Sequence, residues 1–100
     1  MLTETEFTAA AERHLDMVYR IALNSLRHPA DAEDAVQNTM LRLWRTDTDF
    51  AGEEHLRRWL ARVAVNESRR IAAHPWRGLF EVFRALGGAT RGFASGLHHL

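Results

Sequence analysis

Polar residues at helical spacing in the second half of the sequence are the first candidates for binding chemistry. One helix face would carry all five of them, because each lies three or four positions from another member: Arg58, Arg62, Asn66, Arg69 and Arg70. Arginines four positions apart repel each other by roughly 0.2–0.5 kcal/mol, and an anionic partner relieves that repulsion. Nucleic-acid phosphates fit such a face, and Asn66 suits a base edge. An ordinary solvated face is the alternative, and the sequence alone leaves both open.

A second polar group lies in residues 31–45, DAEDAVQNTMLRLWR. Asp31 and Glu33 are suited to the first turn of a helix, where the positive end of the helix dipole favours carboxylates. This capping role accounts less well for Asp34, Gln37 and Asn38, which lie beside or beyond the first turn. These three residues form either a solvated face or a surface that binds a partner.

Phe50 is an isolated aromatic residue in the polar segment TDTDFAGEE, residues 46–54, just before the basic helix. Two interpretations are open. The ring folds back over the edge of a core, or it stacks against an unpaired base, as in proteins that bind single strands.

The residue types exclude several kinds of chemistry. The chain has no cysteine, which removes disulfides, thiolate catalysis and cysteine-based zinc sites. Its six histidines show no metal-binding spacing, and no serine has a suitable histidine and aspartate pattern. We therefore expect no enzymatic activity, no metal and no cofactor. No apolar run approaches the ~20 residues of a membrane span, and no signal peptide is recognisable, so a cytoplasmic protein is expected.

The net charge of zero conceals two halves of opposite charge. Residues 1–56 contain five arginines and eleven acidic residues, a net charge of −6, and residues 57–100 contain eight arginines and two glutamates, a net charge of +6. The chain has no lysine. A GC-rich genome is the simplest explanation, although guanidinium groups also suit phosphate and carboxylate contacts. The asymmetry predicts two partners of different chemistry.

Three amphipathic helices must position these groups, so the predicted fold is all-α. Thr3 and Glu6 offer a capping box at the start of the first helix, and the RHP sequence at 27–29 ends it. The predicted apolar stripe of this helix is Phe7, Ala11, Leu15, Val18, Ala22 and Leu26. Pro29 suits the first position of the second helix. The predicted apolar side of that helix is Ala32, Val36, Met40, Leu43 and Trp44.

The third helix is predicted from about residue 53 to 73, and its inward residues are Leu56, Leu60, Val63, Ala64 and Ile71. Beyond Pro75 the composition changes, since residues 78–100 contain five of the six glycines. We expect a short fourth helix over residues 79–86 in a tail that is linker-like or partly disordered. The domain would then comprise residues 1–77 and the tail residues 78–100. A weaker alternative makes LFEVFRAL, with Arg77 and Arg84, a membrane-surface helix.

The motifs together resemble region 2 of the extracytoplasmic-function sigma factors, which are bacterial transcription initiation subunits. The sequence DAEDAVQ is followed 22 residues later by WLARVAVN, with LRLW and a phenylalanine-containing loop between them. The resemblance extends over residues 7–77. It implies a small helical bundle that binds without covalent chemistry.

The resemblance implies that the second helix docks on a coiled coil of the β′ subunit of RNA polymerase core. The residues placed at that contact are Asp31, Asp34, Gln37, Asn38, Arg42 and Arg45. It also implies that the melted minus-ten promoter strand is captured by Phe50, Arg58, Arg62, Asn66, Arg69 and Arg70. A base would flip into a pocket formed by Phe50 and residues 51–54, at a cost of a few kcal/mol. Trp59 is expected in the core.

Two departures from the family pattern leave an alternative function open. Asn38 stands where the family often has an acid, and nothing in residues 78–100 supplies the second promoter-binding domain, region 4. The chain could instead be a decoy that occupies the polymerase coiled coil or captures an anti-sigma factor without starting transcription. An in vitro transcription assay distinguishes these hypotheses, because a decoy inhibits other sigma factors and initiates no transcripts.

Overall fold

A computed structural model describes residues 1–73, which form three helices. These are α1, Glu4–Leu26, α2, Pro29–Arg45, and α3, Glu53–Ala72. The predicted all-α class and the order of the three main helices are confirmed, and no strand occurs within residues 1–73. The predicted fourth helix, the boundary at residue 77 and the tail lie outside the described residues.

The predicted capping box begins α1. The Glu6 backbone N–H donates to Thr3 Oγ1 at 3.1 Å, and the Thr3 N–H donates to Glu6 Oε1 at 3.0 Å. The bonds from the Thr3 backbone and side chain lower the pKa of Glu6 below its ordinary value. Because this pKa is lowered, the stabilisation is present above the carboxyl's ordinary pKa and is lost as pH falls through the lowered one.

The predicted stop between α1 and α2 is also confirmed. Arg27 adopts the left-handed conformation, with φ 61°, and its N–H donates to the Leu23 carbonyl at 2.7 Å. His28 is extended, as expected for a residue before proline, and Pro29 occupies the first turn of α2. The short turn places α2 against α1.

The core differs from the prediction along α1. Its buried residues are four positions apart: Ala10, His14, Val18, Ala22 and Leu26. Leu15, predicted to be inward, is 45% exposed, and Phe7 and Ala11 are only half-buried. Residues four apart form one ridge that packs into the groove of a neighbouring helix. Leu15 lies about 100° around the helix from His14, so it falls outside the ridge although leucine is the more apolar residue.

The core side of α2 also differs from the prediction. Its buried residues are Ala32, Ala35, Thr39 and Leu43, whereas Val36 and Met40 are half-buried and Trp44 is exposed. Ala35 and Thr39 are small, which permits close helix contact, and the Thr39 hydroxyl donates to the Ala35 carbonyl at 2.7 Å. This hydrogen bond offsets the free-energy cost of burying the hydroxyl group.

The inward face of α3 is largely as predicted. Leu56, Leu60, Val63 and Ala64 are buried, and Ile71 is half-buried against the cluster that contains Ala22 and Leu26. The prediction missed two buried polar residues, Glu67 and Ser68. The Ser68 hydroxyl donates to the Ala64 carbonyl at 2.8 Å. The Glu67 carboxylate is contacted by the guanidinium groups of Arg42 and Arg70.

The contrast between Leu60 and Leu15 gives a stability test. Leu60 is fully buried, so Leu60→Ala should lower the free energy of unfolding by about 2–5 kcal/mol. Leu15→Ala removes the same atoms from a half-exposed site and should cost less than about 1 kcal/mol. Urea unfolding followed by circular dichroism measures both. Equal costs would contradict the position of Leu15 outside the core.

Candidate nucleic-acid and protein interfaces

The outward face of α3 presents four of the five polar residues predicted to bind nucleic acid. Arg58, Arg62, Asn66 and Arg69 are all exposed and lie opposite the buried side of the helix. Arg58 donates from Nε to Glu54 Oε1 at 3.2 Å. The side chains of Arg62, Asn66 and Arg69 have no hydrogen bond or ion pair to any other residue of 1–73. This outward face therefore has free donors for an anion.

Arg70 lies apart from the other four, on the side of α3 that meets α2. Its Nη1 contacts both carboxylate oxygens of Glu67 at 3.3 Å, and Arg42 Nη1 contacts Glu67 Oε1 at 3.3 Å. The predicted set of five thus divides into an outward face of four residues and Arg70, which shares the Glu67 carboxylate with Arg42 of α2.

Phe50 packs against the edge of the core. Its ring makes edge-to-face contacts with His55 and Trp59, at centroid distances of 5.2 and 5.5 Å. The Ala51 N–H donates to His55 Nδ1 at 2.8 Å, which places the proton of neutral His55 on Nε2. Half-burial of Phe50 and Trp59 matches the expectation of a core contact. Stacking of Phe50 against a base stays a prediction.

Glu53, in the first turn of α3, is held by two neighbouring residues of α1. Its Oε1 accepts from Arg13 Nε at 2.9 Å and contacts Nε2 of the buried His14 at 2.6 Å. We call these three residues the Glu53 clamp. The clamp fixes where the loop ends and α3 begins. Sequence reasoning missed it because the partners are 39 positions apart, although a histidine within an apolar stripe is a signal that a polar partner exists.

A groove of about 420 Å³ lies between α1 and α2. Its lining residues are Leu15, Asp16, Tyr19, Glu33, Val36 and Gln37. The charged residues among these are acidic, and the exposed part of Leu15 contributes apolar surface. We call it the acidic groove. Gln37 was predicted to bind a partner, whereas Leu15, Asp16 and Tyr19 were not assigned to this surface.

The residues predicted to bind polymerase lie along α2 and border two grooves. Gln37 lines the acidic groove, Asp34 is exposed one turn before Asn38, and Asp31 is half-buried in the first turn. Asn38, Arg42 and Arg45 instead line a second groove, which faces α3. Asp31, Asp34, Asn38, Arg42 and Arg45 follow one another along α2 at steps of three or four, so they share one side of the helix. That they bind polymerase stays a prediction.

The described residues contain neither a metal-ligand cluster nor a membrane-spanning helix. In residues 1–73, no three histidine or acidic side chains are grouped to hold a metal ion. Each of the three helices is too short or too polar to cross a bilayer. The membrane-surface alternative concerns residues 79–86, which lie outside the described part.

Comparison with known proteins shows similarity to sigma factors. Residues 10–77 match the sigma-70 region 2 family. The chain is 33% identical over 81 residues to the ECF RNA polymerase sigma factor SigM of Mycobacterium tuberculosis, covering 77% of this chain and 41% of SigM. It is 56% identical over 36 residues to the ECF RNA polymerase sigma factor SigG of the same organism, covering 36% of this chain and 10% of SigG. The chain thus spans less than half the length of either relative. No solved structure matches it significantly.

The Glu53 clamp predicts a difference between two adjacent glutamates. Glu53→Ala leaves the buried His14 without its carboxylate partner and should lower the free energy of unfolding by about 1–3 kcal/mol. Glu54→Ala is the matched control, since it also removes a first-turn acid but breaks only exposed pairs within α3, worth about 0–1 kcal/mol. Thermal or urea unfolding compares them. Equal destabilisation would show that only the helix dipole is involved.

Proposed function

The chain belongs to the sigma-70 region 2 family, and we propose that it binds RNA polymerase core and the promoter minus-ten strand in transcription initiation. The observation that carries the proposal is the separation of two surfaces of opposite charge on one small bundle. The acidic groove lies between α1 and α2, and the outward face of α3 presents Arg62 and Arg69, which have no carboxylate partner within residues 1–73. A protein with two chemically different partners needs such a division.

The acidic groove is the proposed polymerase-facing surface. Leu15, Tyr19 and Val36 offer apolar contact, and Asp16 and Glu33 provide negative charge. A helix of the β′ coiled coil with an apolar stripe and basic flanks would fit, because helices are commonly bound through apolar anchors in a groove. The charges would steer association and set orientation. This groove adds α1 residues to a surface that the sequence placed on α2 alone.

The remaining residues of the predicted polymerase contact would lie around this groove. Asp34 is exposed on α2, one turn before Asn38, where a second helix of a coiled coil could reach it. Asp31 would act mainly in the first turn of α2. Asn38, Arg42 and Arg45 face α3, so we propose that they contact polymerase only at the border of the interface.

The outward face of α3 is the proposed strand-binding surface. Arg62 and Arg69 would bind phosphates, and Asn66 lies between them to meet a base edge. Phe50 is half-buried, which leaves part of its ring for a flipped base. Flipping costs a few kcal/mol, and stacking of one base on an aromatic ring is worth about 1–3 kcal/mol. Stacking on Phe50 together with two phosphate contacts would therefore be sufficient to offset the cost of flipping the base.

The polymerase contact predicts that changing two exposed α2 residues abolishes docking. The double variant Asp34→Arg, Gln37→Ala should weaken binding to an isolated β′ coiled-coil fragment by at least about tenfold, because it places a positive charge against a basic partner. Both side chains are exposed, so the helix content should not change. Asp47→Arg, an exposed loop residue, is the control for charge reversal alone. Unchanged affinity of the double variant would show that the docking assignment is wrong.

The strand contact predicts a change in salt dependence. Arg62→Gln and Arg69→Gln should each reduce the slope of log affinity against log salt by about 0.7 for a single-stranded minus-ten oligonucleotide. Fluorescence anisotropy between about 50 and 200 mM salt measures this slope. Arg57→Gln is the control, because Arg57 pairs with Glu54 and lies off the outward face. Equal slopes in all three variants would show that the salt dependence reflects only the net charge of the protein and not contacts of the outward face.

A further inference from the structure

The groove between α2 and α3 lies at the border of the proposed polymerase contact, which does not account for its excess of arginines. Its volume is about 240 Å³. The described residues that line it are Asn38, Leu41, Arg42, Arg45, Glu67 and Arg70. They contribute three guanidinium groups and one carboxylate, so their formal charge is +2. We call it the arginine groove.

The guanidinium groups of the arginine groove keep most of their donors free. Glu67, whose side chain is 4% exposed, accepts from Arg42 and Arg70 at 3.3 Å. Contacts between a guanidinium and a carboxylate are usually about 2.7–2.9 Å, so Glu67 binds both arginines loosely. Each guanidinium has five N–H donors. The Arg45 side chain has no hydrogen bond or ion pair within residues 1–73.

We propose that the arginine groove binds a phosphate group that carries at least two negative charges, either free or at the end of a nucleotide. A dianion balances the formal charge of the lining residues. Guanidinium forks match phosphate oxygens in geometry, and the Asn38 amide can donate to another oxygen. The proposal does not depend on the promoter or polymerase contacts.

The size of the groove and the position of Glu67 set the kind of ligand. Pockets for drug-sized ligands are usually about 300–1,000 Å³, so this groove holds a phosphate or pyrophosphate group while a nucleoside stays outside. The buried carboxylate orients Arg42 and Arg70 but repels an anion. A phosphodiester of a DNA strand carries one negative charge, so it would neutralise only one of the two positive charges of the groove. This difference favours a terminal phosphate.

The test is a calorimetric titration of the full chain with pyrophosphate at low salt. Arg45→Gln should weaken the affinity about tenfold, since it removes one charge-assisted contact without breaking an ion pair. Arg20→Gln is the matched control: Arg20 is an exposed arginine of α1 outside the groove, and its loss should leave the affinity unchanged. Absence of saturable binding by the unmodified chain, or an equal loss in both variants, would overturn the proposal.

A second variant gives a change of opposite sign. Glu67→Gln removes the negative charge inside the groove and should tighten pyrophosphate binding severalfold in a sample whose circular dichroism shows the native helix content. If that variant unfolds, the comparison of Arg45→Gln with Arg20→Gln still tests whether the groove binds pyrophosphate. Weaker binding by a folded Glu67→Gln would contradict the proposed ligand position.

Parallel titrations distinguish the sources of the phosphate. Tighter binding of a nucleoside diphosphate than of pyrophosphate would assign the groove to a nucleotide, and equal binding would assign it to the phosphate group alone. If pyrophosphate does not bind but Arg45→Gln weakens the oligonucleotide, the groove belongs to the strand interface and the proposal is wrong. Failure of the promoter-strand contact would change the oligonucleotide result and leave the pyrophosphate result unaffected.

Discussion

The packing of two helices onto one ridge of α1 is the constraint on which the other features depend. The ridge steps by four residues from Ala10 to Leu26, and α2 and α3 both pack against α1. Because Ala35 and Thr39 allow close approach, the side of α2 that faces inward is set by small residues as much as by large apolar ones. That orientation leaves Leu15 exposed and Val36 half-buried. The acidic groove is thus a consequence of how the core is packed.

Ionic contacts between helices complement this apolar packing at two places. The Glu53 clamp joins the start of α3 to the middle of α1, and Glu67 joins the far part of α3 to Arg42 of α2. His14 and Glu67 are buried, and a buried polar group that loses its partner is costly to the fold. Both contacts therefore specify where α3 lies, and α3 carries the outward arginines. The loop with Phe50 is positioned by the same clamp.

The sequence predicts local features of this fold better than its long-range contacts. The capping box, the turn at Arg27 and the inward face of α3 depend on neighbours within a few positions, so periodicity and capping rules predict them. The clamp joins residues 39 positions apart, and Glu67 meets Arg42 across 25 positions. No spacing rule reaches that far. The error at Leu15 has another cause, because ranking residues by hydrophobicity ignores that a ridge can include a histidine with a buried partner.

The charge asymmetry of the sequence corresponds to surfaces only in part, and the exception is informative. Asp16 and Glu33 of the first half meet at the groove between α1 and α2, and Arg58, Arg62 and Arg69 of the second half occupy the outward face of α3. Arg42 and Arg45, however, come from the acidic half and lie beside Arg70. Three arginines near one buried carboxylate carry more positive charge than an internal ion pair needs. An external anion would stabilise an excess of this kind at a concave site, and the same argument applies to the repelling arginines of the outward face.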